Sequence, residues 1–174
     1  MLILRPTRKV LNIARIKPAA SEEFLSQNEI LNEWFVDIAG LGSPGKTVLL
    51  FVHRTTYLTV MVPGRSLLKS IPVFVSRLEK LLIRHKVSKQ TTRKIIEAMD
   101  PVVICKTNDR KTLGIINQRK YELFVLFQVR FEIDHFSDWD MLEDQKAVYL
   151  NKPREGKGYT WPLDELRNIL IDRG

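Results

Sequence analysis

Residues 40–47 read Gly-Leu-Gly-Ser-Pro-Gly-Lys-Thr, which satisfies the G-x-x-x-x-G-K-[ST] spacing of a nucleotide-binding P-loop. That chemistry needs a strand before the loop and a helix from the Lys-Thr onward, so that its first amides converge on phosphate. Here Thr47-Val48-Leu49-Leu50-Phe51-Val52-His53 follows, rich in β-branched and aromatic residues, and reads as a strand. Trp34–Ile38 before it reads as another strand, so Gly42, Pro44 and Gly45 are expected to form a hairpin turn. Gly40, Gly45, Lys46 and Thr47 are then a decoy, Lys46 should face solvent, and no nucleotide site is expected there.

The next candidate is Lys106-Thr107-Asn108-Asp109-Arg110-Lys111-Thr112-Leu113-Gly114-Ile115-Ile116-Asn117. Asn108 or Asp109 can cap a helix running through Leu113, Ile116, Leu123, Phe124 and Phe127. Arg110 offers a planar fork for carboxylate or phosphate, and Thr107 and Asn108 lie beside amides that favour anions. Arg5, with Arg8, could join them if the first strand lies beside the strand at 101–106. Arg5, Thr107, Asn108, Arg110 and Asn117 therefore form a candidate anion site. The alternative assigns Asn108 to a cap, Asn117 to backbone bonding and Arg110 to an acid, and the residue types alone favour it.

Other chemistry is sparse. Asp134-His135-Phe136-Ser137-Asp138-Trp139-Asp140 holds three carboxylates and a histidine, but no partner cluster makes a metal centre of it. His53 and His85 stand apart, and no Cys/His spacing suits zinc. Cys105 lies in an apolar strand where a thiol is inert, and no nucleophile–base pair is identifiable. No metal and no cofactor are expected.

These residues are positioned by a mixed set of elements. Met1–Leu4 reads as a strand, and a helix from about Thr7 to Ile16 is closed by Lys17-Pro18. The hairpin follows, then a strand over Tyr57–Val62. Ser70 can cap a helix from Pro72 to Lys86 that presents Phe74, Leu78, Leu81 and Leu82 on one face. A second helix spans Lys89 to Met99, stopped by Asp100-Pro101. Gln90, Thr91, Thr92 and Arg93 open that second helix, as a DNA-reading helix-turn-helix would require, though packing is the commoner role of such a pair. Pro162 opens a last helix carrying Leu163, Leu166, Ile169 and Leu170, and Tyr159 and Trp161 are expected to be buried.

The composition bounds the class. The 174 residues suit one domain with a sizeable core, and 44% hydrophobic with 28% charged residues is ordinary for a globular protein. No apolar run approaches the ~20 residues needed to span a bilayer, no signal peptide is visible, and one cysteine allows no internal disulfide, so a cytoplasmic location and no membrane partner are expected. The net charge of +8 is uneven. Residues 1–20 carry five bases and no acid, and residues 71–100 carry seven bases against three acids. Residues 21–40 carry five acids and no base. The basic segments read as a solvated surface or as a track for phosphates, without the interleaved aromatics of a single-strand binder.

Across nearly its whole length the chain resembles the DUF6933 family, small and mainly bacterial proteins of unknown function. The likeness rests on Leu2-Ile3-Leu4-Arg5-Pro6-Thr7-Arg8-Lys9, the strand beginning at Trp34, Val62-Pro63-Gly64, Lys106–Gly114 with Asn117, and Leu150-Asn151-Lys152-Pro153. It departs from the family's pattern at Lys111 and Ile116. The resemblance implies one compact domain and no established activity.

The expected fold is α+β: a single compact domain, with a small, mostly antiparallel sheet covered on one side by helices. The expected function is a non-catalytic binding or interaction module with basic surface segments, whose partner is nucleic acid or an acidic protein, with oligomers open. The alternative is an enzyme on an anionic substrate, with Arg110 and Asn108 as clamp and Asp138 or Asp140 as metal ligand or base.

Overall fold

A computed structural model describes residues 1–19, 31–41, 45–107, 109–129, 136–147 and 161–171. Five strands are described: β1 (Leu2–Pro6), β2 (Glu33–Gly40), β3 (Thr47–His53), β4 (Thr59–Pro63) and β5 (Val102–Ile104). They form one sheet in the order β4-β3-β2-β1-β5. The β2–β3 and β3–β4 ladders are antiparallel and the longest, while β1 lies parallel to both β2 and β5. The helices are α1 (Arg8–Ala14), α2 (Leu67–Arg84), α3 (Lys89–Glu97), α4 (Arg110–Val129), α5 (Phe136–Ala147) and α6 (Pro162–Ile171). The fold is α+β, as the sequence predicts.

The helices cover both faces of the sheet, which corrects the expectation of a one-sided cover. Leu2, Leu4, Trp34, Val36, Leu49, Phe51 and Val60 share a core with Val10 of α1, Phe74, Leu78 and Leu81 of α2, and Ile95 of α3. Their neighbours in the strands point the other way. Phe35 and Val52 pack with Ile116 of α4, and Val48, Leu50 and Met61 pack with Leu123 of α4 and Leu142 of α5. Side chains alternate across a strand, so a run such as Val48–Val52 with no polar position has to be buried on both sides. On the first face Phe74 stacks on Phe51 with centroids 4.4 Å apart and meets Trp34 edge-on at 4.9 Å.

Two element starts and one burial differ from expectation. α2 begins at Leu67, so Pro72 lies inside the helix and Ser66, not Ser70, is the N-terminal flank. Burial of Leu67 and Ser70 against the core outweighs the donor that Pro72 lacks. β4 begins at Thr59 because Tyr57 takes a left-handed backbone (φ 57°) and Thr56 binds back to His53. Trp161 is 47% exposed, not buried, just before α6. Tyr159 lies outside the described residues.

The P-loop-like stretch is a hairpin. Gly40 pairs with Thr47, Leu41 N–H donates to the Lys46 carbonyl at 3.0 Å, and Gly45 takes φ +79° in the turn. Thr47 opens a strand where a phosphate-binding helix would have to start, and Lys46 is exposed. Gly42 and Pro44 lie outside the described residues.

Candidate functional site

The C-terminal ends of the parallel strands β1 and β5 lie side by side and lead into α1 and α4. Arg5, near the end of β1, is fully buried on the α4 side of the sheet. Its Nε donates to Glu33 and its Nη1 donates to the Lys106 carbonyl at 2.7 Å. Glu33 also accepts from Arg54 Nη1 at 2.8 Å, and Arg54 Nε stands 4.0 Å from Asp109. The charges alternate from Arg5 through Glu33 and Arg54 to Asp109. The hydrogen bond to Glu33, reinforced by the charges of Glu33 and Asp109, outweighs burial and holds the Arg54 pKa above its ordinary value.

Asp109 is the cap of α4. Its Oδ1 accepts from the amides of Lys111 at 2.8 Å and Thr112 at 3.3 Å, while Oδ2 accepts from the Thr112 hydroxyl at 2.8 Å. Burial pushes the carboxyl up, but these bonds and the Arg54 charge win, leaving its pKa below the ordinary range. The donors at this helix start that could hold a foreign anion therefore already hold Asp109.

A second polar tie lies next to the first. Asp37 of β2 accepts from the Thr7 hydroxyl at 2.6 Å and from Lys120 Nζ of α4 at 2.6 Å. Thr107 donates to the Pro6 carbonyl at 2.6 Å, joining the ends of β5 and β1. Farther along α4, Glu122 accepts from Arg119 at 3.1 Å and from Lys146 of α5. Burial raises the Glu122 pKa, and the Lys146 hydrogen bond with the Arg119 and Lys146 charges more than reverses it.

The expected anion site thus divides. Arg5 and Thr107 meet where β1 and β5 end, as the adjacency of those strands allows. Arg110 and Asn117 lie exposed on the opposite, outward side of α4, and Asn108 lies outside the described residues. Sequence reasoning missed Glu33, Arg54, Asp37 and Lys120, which come from segments far apart in the chain. Only the acid in the largely apolar β2 run, Asp37, hinted at a buried polar contact.

The acidic stretch resolves into another tie. Arg77 of α2 donates to Glu143 at 2.9 Å and to Asp140 at 2.9 Å, and Arg84 and His85 meet Asp144 at 3.0 Å each. Glu143 also accepts from the Met61 amide at 2.8 Å, covering the outer edge of β4. Burial outweighs these bonds and leaves the Glu143 carboxyl with a raised pKa. Asp134 and His135 lie outside the described residues, as does the Asp138 side chain. Among the described residues no group of His, Cys, Asp and Glu could hold a metal. Cys105 is buried, and that burial raises the thiol pKa against the opposing Arg5 charge. No described helix is long and apolar enough to cross a membrane.

No curated protein matches the chain. Residues 3–165 match the family described as a domain of unknown function, DUF6933, and that span takes in both strand ends, all of α4 and α5. The chain belongs to the DUF6933 family.

Proposed function

We propose that this protein is a non-catalytic interaction module that engages an anionic macromolecule through the helical layer of α1, α2 and α3. What supports the reading is how the charges are partitioned. The buried ionisable groups Arg5, Asp37, Arg77 and Glu143 are bonded to groups of opposite charge that tie one element to another. Exposed Arg8, Lys9, Lys69, Lys80, Lys89 and Lys94 enter no ion pair among the described residues. These cations leave a positive field over one layer, which steers and holds polyanions. The enzyme alternative asks Arg110 and Asn108 to clamp an anion and Asp138 or Asp140 to act as metal ligand or base, and of these Asp140 is bonded to Arg77 within the fold.

Fluorescence titration of the full chain with duplex DNA and, separately, with polyglutamate tests the proposal. The expected result is binding to one of them that weakens with salt and falls at least about tenfold in Lys80→Glu/Lys89→Glu/Lys94→Glu, a change of about 1.4 kcal/mol. Equal binding by wild type and variant, or none by either, would overturn it.

A further inference from the structure

The outward face of α4 joins three features that the fold does not use. Gly114 sits inside the helix, exposed, and a Cβ built on it would meet nothing within 4 Å. A glycine in a helix interior is costly relative to alanine, and here neither packing nor an unusual backbone angle repays it. On the same stripe, at helical spacing from Gly114, stand Tyr121 at 69% exposure, Phe124 at 42% and Val125 at 39%. At its N-terminal end stand Arg110 and Lys111, exposed and in no ion pair among the described residues. The inner face of α4 faces the sheet through Thr112, Ile116, Arg119 and Leu123, all buried, so the stripe points directly away from the core.

We infer that this stripe docks a segment of a partner protein that is acidic at one end and apolar along the rest. The acids meet Arg110 and Lys111, the segment's backbone passes close over Gly114 where a side chain would hold it off, and its apolar residues cover Tyr121, Phe124 and Val125. Charge sets the orientation. Tyrosine and arginine are also the residue types that anchor protein interfaces, and an outward helix face suits a macromolecule. The surface lies on the other side of the sheet from the α1–α3 layer, so its failure and the failure of the proposed function can be told apart.

The test is selection of a displayed library of helical peptides on the full chain, followed by affinity measurement for the best peptide. Selected peptides should combine Asp or Glu with Leu, Ile or Phe. Their affinity should drop more than about tenfold in Arg110→Glu and in Gly114→Gln, and stay unchanged in Lys89→Glu/Lys94→Glu. Gly114→Ala should raise the melting temperature by roughly 2–4 °C, showing that the glycine is not required by the fold. Peptides without acids, affinity indifferent to Gly114→Gln, or a Gly114→Ala variant that melts lower would each overturn the inference. So would a concentration-dependent dimer in sedimentation that Tyr121→Glu abolishes, since a second copy would then own the face.

Discussion

Arg5 sits under α4 with no exposure, held by Glu33 and the Lys106 carbonyl, and it shows what the charged residues on this side of the sheet do. A buried pair stabilises little over an apolar one, but removing one partner strands the other. Arg5→Ala should therefore destabilise by about 3 kcal/mol, the lower end for a broken buried pair, because Glu33 keeps Arg54. Asp109→Ala removes the cap of α4 and should cost about 1 kcal/mol in a denaturant melt. The pH dependence follows from the same groups. Asp109 and Glu122, with lowered pKa values, add stability that is present above the ordinary carboxylate range and lost as pH falls through their lowered values. Glu143 acts with the opposite sign: its contribution is present below the ordinary value and lost as pH rises through the raised one. Thermal melts from neutral pH to about pH 3 should show Asp109→Asn closing its deficit against wild type on acidification. Glu143→Gln should instead improve relative to wild type as pH rises. The sequence offered Asn108 or Asp109 as the cap ahead of a helical pattern, and the amide bonds fall to Asp109. The Arg5–Glu33–Arg54 alternation was not legible there, because its members are brought together only by strand order.

At the scale of elements, periodicity predicted most of what forms. α3 and α6 begin where the sequence places them, at Lys89 and at Pro162. α2 started earlier than its proline suggested, because the apolar contact of Leu67 decided the matter over a local signal. Phe74 is the helix residue on which the first core turns, stacked on Phe51 and edge-on to Trp34. Phe74→Ala should cost about 3–5 kcal/mol in chemical denaturation. The second layer of helices was harder to foresee. α4 meets the sheet through arginine, lysine and threonine as well as Ile116 and Leu123, so its inner face lacks a clean apolar stripe. α5 covers the edge of β4 with a glutamate, Glu143, that no motif in the sequence singled out.

At the scale of the whole molecule, the buried charges of the described residues are paired. On the α4 and α5 side, buried and half-buried acids and bases pair and fasten strand to strand, helix to strand and helix to helix, while Arg110 and Lys111 stand outward in no ion pair among the described residues. On the α1–α3 layer, lysines stand outward without partners among the described residues. The net charge of +8 foretold an excess of cations but not where the excess would lie, since Arg77 and Arg84 from the basic 71–100 segment are neutralised by α5. The outer face of α4 is a separate surface with its own partner chemistry. The central claim is that the buried charges build the fold while the exposed ones meet a partner. Its most direct test is the affinity of Arg5→Ala for the polyanion that wild type binds, measured well below the variant's melting temperature. The account predicts a lowered melting temperature with the affinity within about twofold of wild type, a difference under about 0.5 kcal/mol. Loss of binding by a folded Arg5→Ala protein would contradict it and place the ligand at the ends of β1 and β5.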